Sequence, residues 1–295
     1  PYAEDASNGI VDFYKEKIKK VLNDNGVVSL DSLFEKYALE PSNMAAFLFS
    51  LKGNSLLKNI DPDSIDFNNR LSQDDNFRIV FIIFYTAIIY HVAQIVKLEG
   101  LDIPRHITFG GNGSKSLNVI TTDADLLAKY TKLIFEKVLE TKTNAKLEIL
   151  GLGNSSYSKE STCKGGLTGT RNSEIEVNNV VMKSSGKAFV TNDDLYKTID
   201  LQYKKEVLNA TKEFFDFLFG LNKIFDFDSN FGVDKKILKL AKSVCYSEDM
   251  STYLTKGLEL IKEDVEDDDT IDETAFFYPI KGLLQELSHD IYESV

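Results

Sequence analysis

Residues 106–120 read HITFGGNGSKSLNVI. A short apolar run passes into a glycine-rich turn, then Ser-Lys-Ser, then a helical pattern. Glycine lets a ligand approach the backbone because no Cβ stands in the way. A helix start offers unpaired N–H groups and the positive end of a dipole. These residue types in this order suit a phosphate, a ribose or an adenine edge. The candidate contacts are Gly110, Gly111, Asn112, Gly113, Ser114 and Lys115. The competing reading is a tight strand-to-helix turn in which glycines serve geometry alone. Two familiar cradles do not fit. A Walker A loop needs glycine six residues before its lysine and again directly before it, where this chain has Phe109 and Ser114. The dinucleotide pattern G-x-G-x-x-G, started at Gly111, meets Ser116 where its last glycine belongs.

Further along, a second strand-like run (LEIL, 147–150) leads through a polar loop to a small-residue helix start, ESTCKGGL, from Glu160 to Leu167. The two motifs in this order resemble the actin, bacterial actin and heat-shock chaperone ATPase superfamily. There, a long apolar helix precedes an apolar strand, a Gly-Gly turn and a helix that contacts adenosine. FRIVFIIFYTAIIYHVAQIV followed by ITFGGNGSKSLN has that look, and the resemblance covers about residues 75–170. It implies a partial actin-like (ribonuclease H-like) subdomain that binds ATP with Mg2+. It also implies Gly110, Gly111, Gly113 and Ser114 as contacts to nucleotide, with Lys115 near the adenine or ribose. Gly165 and Gly166 would belong to an interdomain packing surface. The family's two phosphate loops, each an Asp followed by a glycine-rich hairpin, have no counterpart in residues 1–105, where Asp24-Asn25-Gly26 only closes a helix. Together with a chain that opens on Pro1, this leads to the expectation of a C-terminal fragment. Such a fragment would have no catalytic residue of its own, would not hydrolyse ATP alone, and would take the missing N-terminal part as its partner. The alternative is a helical protein-interaction module with no nucleotide ligand, its partner meeting the C-terminal helices.

Other candidates carry less chemistry. DFDSNFGVD, from Asp226 to Asp234, looks like the front of a calcium loop, but Phe231 and Ile237 stand where that loop needs Gly and Glu. A capped turn is the better reading, and no metal ligands are assigned. His91, His106 and His289 share no metal-ligand spacing. Cys163, beside Lys164 at a helix start, has the setting that lowers a thiol pKa, although a packed small residue is the commoner role.

The net charge of −12 argues against nucleic acid and against an anionic membrane surface as partners. Two cysteines without framework spacing, and no secretory signal, fit a reducing, cytoplasmic setting. The run 79–96 approaches the length of a membrane span, but Thr86, His91, Gln94 and two tyrosines within it favour a buried core helix.

These residues need elements to position them. Apolar periodicity predicts helices over 9–25, 30–38, 41–51, 75–99, 123–140, 192–219, 234–246, 250–263 and 273–293, with another starting at Ser114. Strands are expected at 106–109 and 146–150, and a hairpin around Ser184-Ser185-Gly186. Asp61-Pro62 reads as a turn, and the acidic run 264–273 as a solvated loop. The class is α+β, predominantly helical. The expected divisions are a helical lobe (1–74), a partial actin-like nucleotide-binding subdomain (75–191) and a helical C-terminal extension (192–295).

Overall fold

The computed structural model describes residues 9–37, 54–109, 112–150, 201–264 and 275–294, together with 44, 47, 48 and 50–52. The expected hairpin around Ser184–Gly186, Cys163, the helix start bearing Gly165 and Gly166, and the acidic run beyond Asp264 lie outside the described residues.

The protein is predominantly helical, with one small two-stranded parallel sheet. In chain order the elements begin with α1 (Gly9–Asp24), α2 (Asp31–Tyr37), a 3-10 turn (Ser55–Leu57), α3 (Pro62–Ile65) and α4 (Phe67–Ser72). The middle holds α5 (Arg78–Leu98), β1 (His106–Thr108), a 3-10 segment (Asn112–Val119), α6 (Ala124–Val138) and β2 (Glu148–Leu150). The chain continues with α7 (Leu201–Phe225), α8 (Phe227–Phe231), α9 (Lys235–Cys245), α10 (Met250–Asp264) and α11 (Phe277–Ser294). Met44, Leu48 and Leu51 are helical and buried between α2 and the first 3-10 turn.

Helix α5 is the axis of the core. It is apolar on most of its circumference, and Ile79, Ile82, Ile83, Ala87 and Ala93 have no exposed surface. Helix α6 packs along one side of it, while α7, α9 and α11 pack against the others. Gly100 ends the helix region with φ +63, a conformation that costs glycine little. The polar groups along α5 are satisfied internally. Thr86 donates to the Ile82 carbonyl (2.6 Å), and its hydroxyl also meets the Tyr130 hydroxyl on α6 (2.6 Å). Tyr85 meets Thr131 at 2.5 Å. The helix is long and apolar enough to cross a membrane by composition, yet its most apolar window is 56% buried by its neighbours, as expected for a core helix.

One hydrophobic cluster runs from Ile10 on α1 to Ile291 on α11 and takes in residues from all three expected segments. Its densest part is aromatic. Tyr90 lies 4.8 Å from Phe217 and 5.5 Å from Phe214, and Tyr130 lies 5.0 Å from Phe225 and 5.3 Å from Phe231.

Several boundaries differ from expectation for identifiable reasons. Asp61-Pro62 starts a helix instead of making a turn: the Asp61 carboxylate accepts from the Asp63 N–H, and Pro62 occupies the first helical position, which needs no N–H donor. Helix α7 runs to Phe225, beyond 219. Gly220 has open space around it, and the packing of Leu221 and Phe225 outweighs its weak helix preference. The last helix begins at Phe277, later than 273. The strands are one and two residues shorter than expected.

Candidate functional site

β1 and β2 pair in parallel, with His106 opposite Glu148, Ile107 opposite Ile149 and Thr108 opposite Leu150. The pairing is extended by the Glu148 N–H donating to the Arg105 carbonyl (2.8 Å) and the Phe109 N–H donating to the Leu150 carbonyl (3.3 Å). The chain between the strands passes through the 3-10 segment and then α6, which packs on both α5 and β2. This is a strand–helix–strand unit. Its connection leaves β1 at the carboxyl end, where the glycines follow.

Asn112, Gly113, Ser114 and Lys115 form the first half of the 3-10 segment Asn112–Val119, while Gly110, Gly111, Gly165 and Gly166 lie outside the described residues. The α-helix expected from Ser114 is therefore absent. The α-helix of this connection starts only at Ala124. That start offers no open anion site: the Asp123 carboxylate already accepts from the N–H groups of Asp125 (2.9 Å) and Leu126 (3.0 Å). With a carboxylate of its own chain at the dipole's positive end, a phosphate there would meet a like charge. What remains on offer is the backbone of the eight-residue 3-10 segment, long for its kind.

Two features of this segment escaped sequence reasoning. The first is Asn118, whose side-chain amide oxygen, Oδ1, is buried with no hydrogen-bond partner among the described residues. Buried polar atoms are nearly always paired, so an orphan marks a place for a water or a ligand donor. Nothing local marks it beyond its position at the end of the glycine motif. The second is Arg78, the first residue of α5. Its side chain is only 15% exposed. Nε donates to the Val119 carbonyl at the end of the 3-10 segment (2.9 Å), and Nη1 donates to the Phe231 carbonyl on α8 (2.5 Å). Nη2 pairs with Asp75 at 2.5 Å. The guanidinium fork thus ties the glycine segment to the C-terminal helices. Gly232, at φ +69, completes this junction: a Cβ there would lie 3.0 Å from Arg78 Nη1. A lone arginine opening an apolar helix is the only sequence signal of the tether.

Beneath the segment, Phe109 lies 5.8 Å from the Tyr85 ring. Burial pushes the Tyr85 and Tyr130 hydroxyls well above their ordinary pKa, so both stay protonated and able to donate.

The remaining sequence candidates resolve as structural parts. Asp226 caps α8, and its carboxylate accepts from the Ser229 hydroxyl at 2.5 Å. Asp234 caps α9 by accepting from the Lys236 N–H at 2.7 Å. Among the described residues no group of three or more His, Cys, Asp or Glu side chains converges as a metal site. His91 lies against Phe276 and Phe277, and burial lowers its pKa. His106 lies 3.6 Å from Glu148, and His289 lies 3.2 Å from Glu293. Cys245 is buried, which pushes its thiol pKa up and makes it unreactive.

No family model, curated protein or solved structure matches the chain.

Proposed function

We propose that this chain carries the nucleoside-contacting part of an actin-like ATP-binding protein, and that it binds the adenosine end of the nucleotide without hydrolysing it alone. The observation that carries this reading is the parallel β1–β2 unit, which brings the glycine-rich segment to the carboxyl end of its strands. In open α/β sheets that is where ligands bind. The unpaired side-chain oxygen of Asn118, Oδ1, supports it, because an adenine amino group or a ribose hydroxyl supplies the donor it lacks.

The fit is to the nucleoside and stops there. The helix start after the segment is occupied by Asp123, and no cluster of acids among the described residues suits Mg2+. On this reading the chemistry of the β- and γ-phosphates falls to a separate polypeptide segment that supplies the phosphate loops, which is the partner the reading requires. ATP is the ligand of the whole, and the described residues contribute orientation and exclusion of water around its base.

Titrating the folded chain with a fluorescent ATP analogue tests the proposal. Weak saturable binding that falls with Gly113→Val and with Asn118→Leu is expected. Binding that neither substitution changes, in variants with unaltered circular dichroism, contradicts it.

A second reading, a helical interaction module without nucleotide, draws on one observation. Phe84 and Val92 on the core helix α5 are 42% and 39% exposed. If Phe84→Glu abolishes self-association or partner capture while the glycine substitutions have no effect on any ligand, this reading replaces the first.

A further inference from the structure

The other end of the β1–β2 pair has a different surface. Residues 100–105 lead into β1, and residues 139–145 lead from α6 to β2. Between them lies an open cleft of about 510 Å³. A second cleft of about 440 Å³ adjoins it at Ala145. Lys97, Arg105 and Lys142 line the first cleft, and Lys129, Lys132 and Lys146 line the second. Asp102 and Asp125 are the acids in the two linings. On a chain of net charge −12 this is a local reversal of sign.

Part of that charge is already paired. Lys97 bonds Glu140 at 2.9 Å and Lys132 meets Glu136 at 3.7 Å. Lys146 meets Glu148 at 3.3 Å and Asp125 at 3.7 Å. Arg105, Lys129 and Lys142 have no acidic partner among the described residues, and they come from three separate segments around the two clefts. In the first cleft Leu101 is 58% exposed and Ile103 and Leu139 also line it, so the lining is apolar as well as basic.

We propose that this double cleft docks an acidic peptide segment of a partner protein, one that carries an apolar residue next to its carboxylates. The planar Arg105 guanidinium suits a carboxylate through two parallel hydrogen bonds, and the unpaired lysines supply further positive charge. Leu101 receives the apolar side chain. Two open clefts that share a wall at Ala145 fit an extended chain better than a compact small molecule, which favours an enclosed pocket. Neither lining contains an aromatic ring, so bases of a single-stranded nucleic acid have no stacking platform. The surface lies at the amino ends of the strands, away from the glycine segment, and does not depend on the nucleotide reading.

The test is fluorescence anisotropy of a labelled peptide of Asp, Glu and a single Leu, titrated with the whole chain at low and moderate salt. The expected result is saturable binding that weakens with salt and drops on the order of tenfold in the Arg105→Glu, Lys142→Glu double variant. Both side chains are exposed, so circular dichroism of that variant should match the parent. The proposal is overturned if the folded chain does not bind the peptide, if the Asn/Gln analogue binds equally, or if the double variant binds unchanged. Tighter capture of oligo-thymidine or of phosphatidylserine vesicles than of the peptide also overturns it, in favour of a nucleic-acid or lipid surface.

Discussion

The aromatic junction of α5, α6, α7 and α11 and the β1–β2 corner are neighbours built on different terms. At the junction, Tyr90 is surrounded by Phe214, Phe217 and Phe276, and Tyr130 by Phe225, Phe227 and Phe231. Rings there fill one another's gaps, and the tyrosine and threonine hydroxyls find partners within the core. At the corner the strands have three residues each, Leu150 is 44% exposed, and the buried Asn118 Oδ1 has no partner among the described residues. Arg78 links the two through the Val119 and Phe231 carbonyls. Close packing concentrates stability in one region, and the other is left adjustable, as ligand-binding segments commonly are.

Substitutions break or sharpen this contrast, and the largest effect belongs to the junction. Phe276→Ala removes a fully buried ring and should cost about 3–5 kcal/mol in denaturant unfolding. A loss below about 1 kcal/mol would mean the junction does not dominate stability. Arg78→Met strands the Val119 and Phe231 carbonyls and should cost about 2–3 kcal/mol. Its sharper signature is local: amide exchange of 112–119 should rise more than that of α7 and α11. A uniform rise would show that the arginine is only one more core contact.

Gly282→Ala probes the α10–α11 contact, where an added Cβ would come within 2.1 Å of Tyr253 Cγ. A loss of about 1–3 kcal/mol is expected, and a neutral result would show that this packing yields easily. The smallest effect is that of pH on His91. Its pKa is lowered in the folded chain by burial, so the unfolded chain binds the proton more readily. Stability from this group is present above the ordinary imidazole pKa near 6.5 and is lost as pH falls through the lower folded value. The melting temperature should decline on acidification through this range, and less so in His91→Phe.

The junction was legible in the sequence and the corner only in outline. The 3.6-residue spacing of Val207, Thr211, Phe214, Leu218 and Leu221 announces a buried helix face, and Asp123 and Asp234 announce helix starts. The glycine motif announces a turn after a strand. It does not announce that the α-helix waits until Ala124, because a 3-10 segment and a first α-helical turn use similar residues. Arg78 and Asn118 were invisible for another reason: their roles arise from contacts or missing contacts across the fold, and no local pattern encodes these. Helix α7 extends past the expected end at 219 to Phe225, since tertiary packing carries it through Gly220, a residue that disfavours helix.

The central claim is that the segment after β1 receives a nucleoside. The most direct test is an amide-resolved NMR titration of the chain with adenosine, and in parallel with ribose 5-phosphate. The account predicts weak binding, roughly 0.1–1 mM, with shifts concentrated in residues 110–119 and at Phe109, and little response to ribose 5-phosphate. Shifts confined to other parts of the chain, or none at adenosine concentrations of about 10 mM, would contradict it and leave the glycines as a turn.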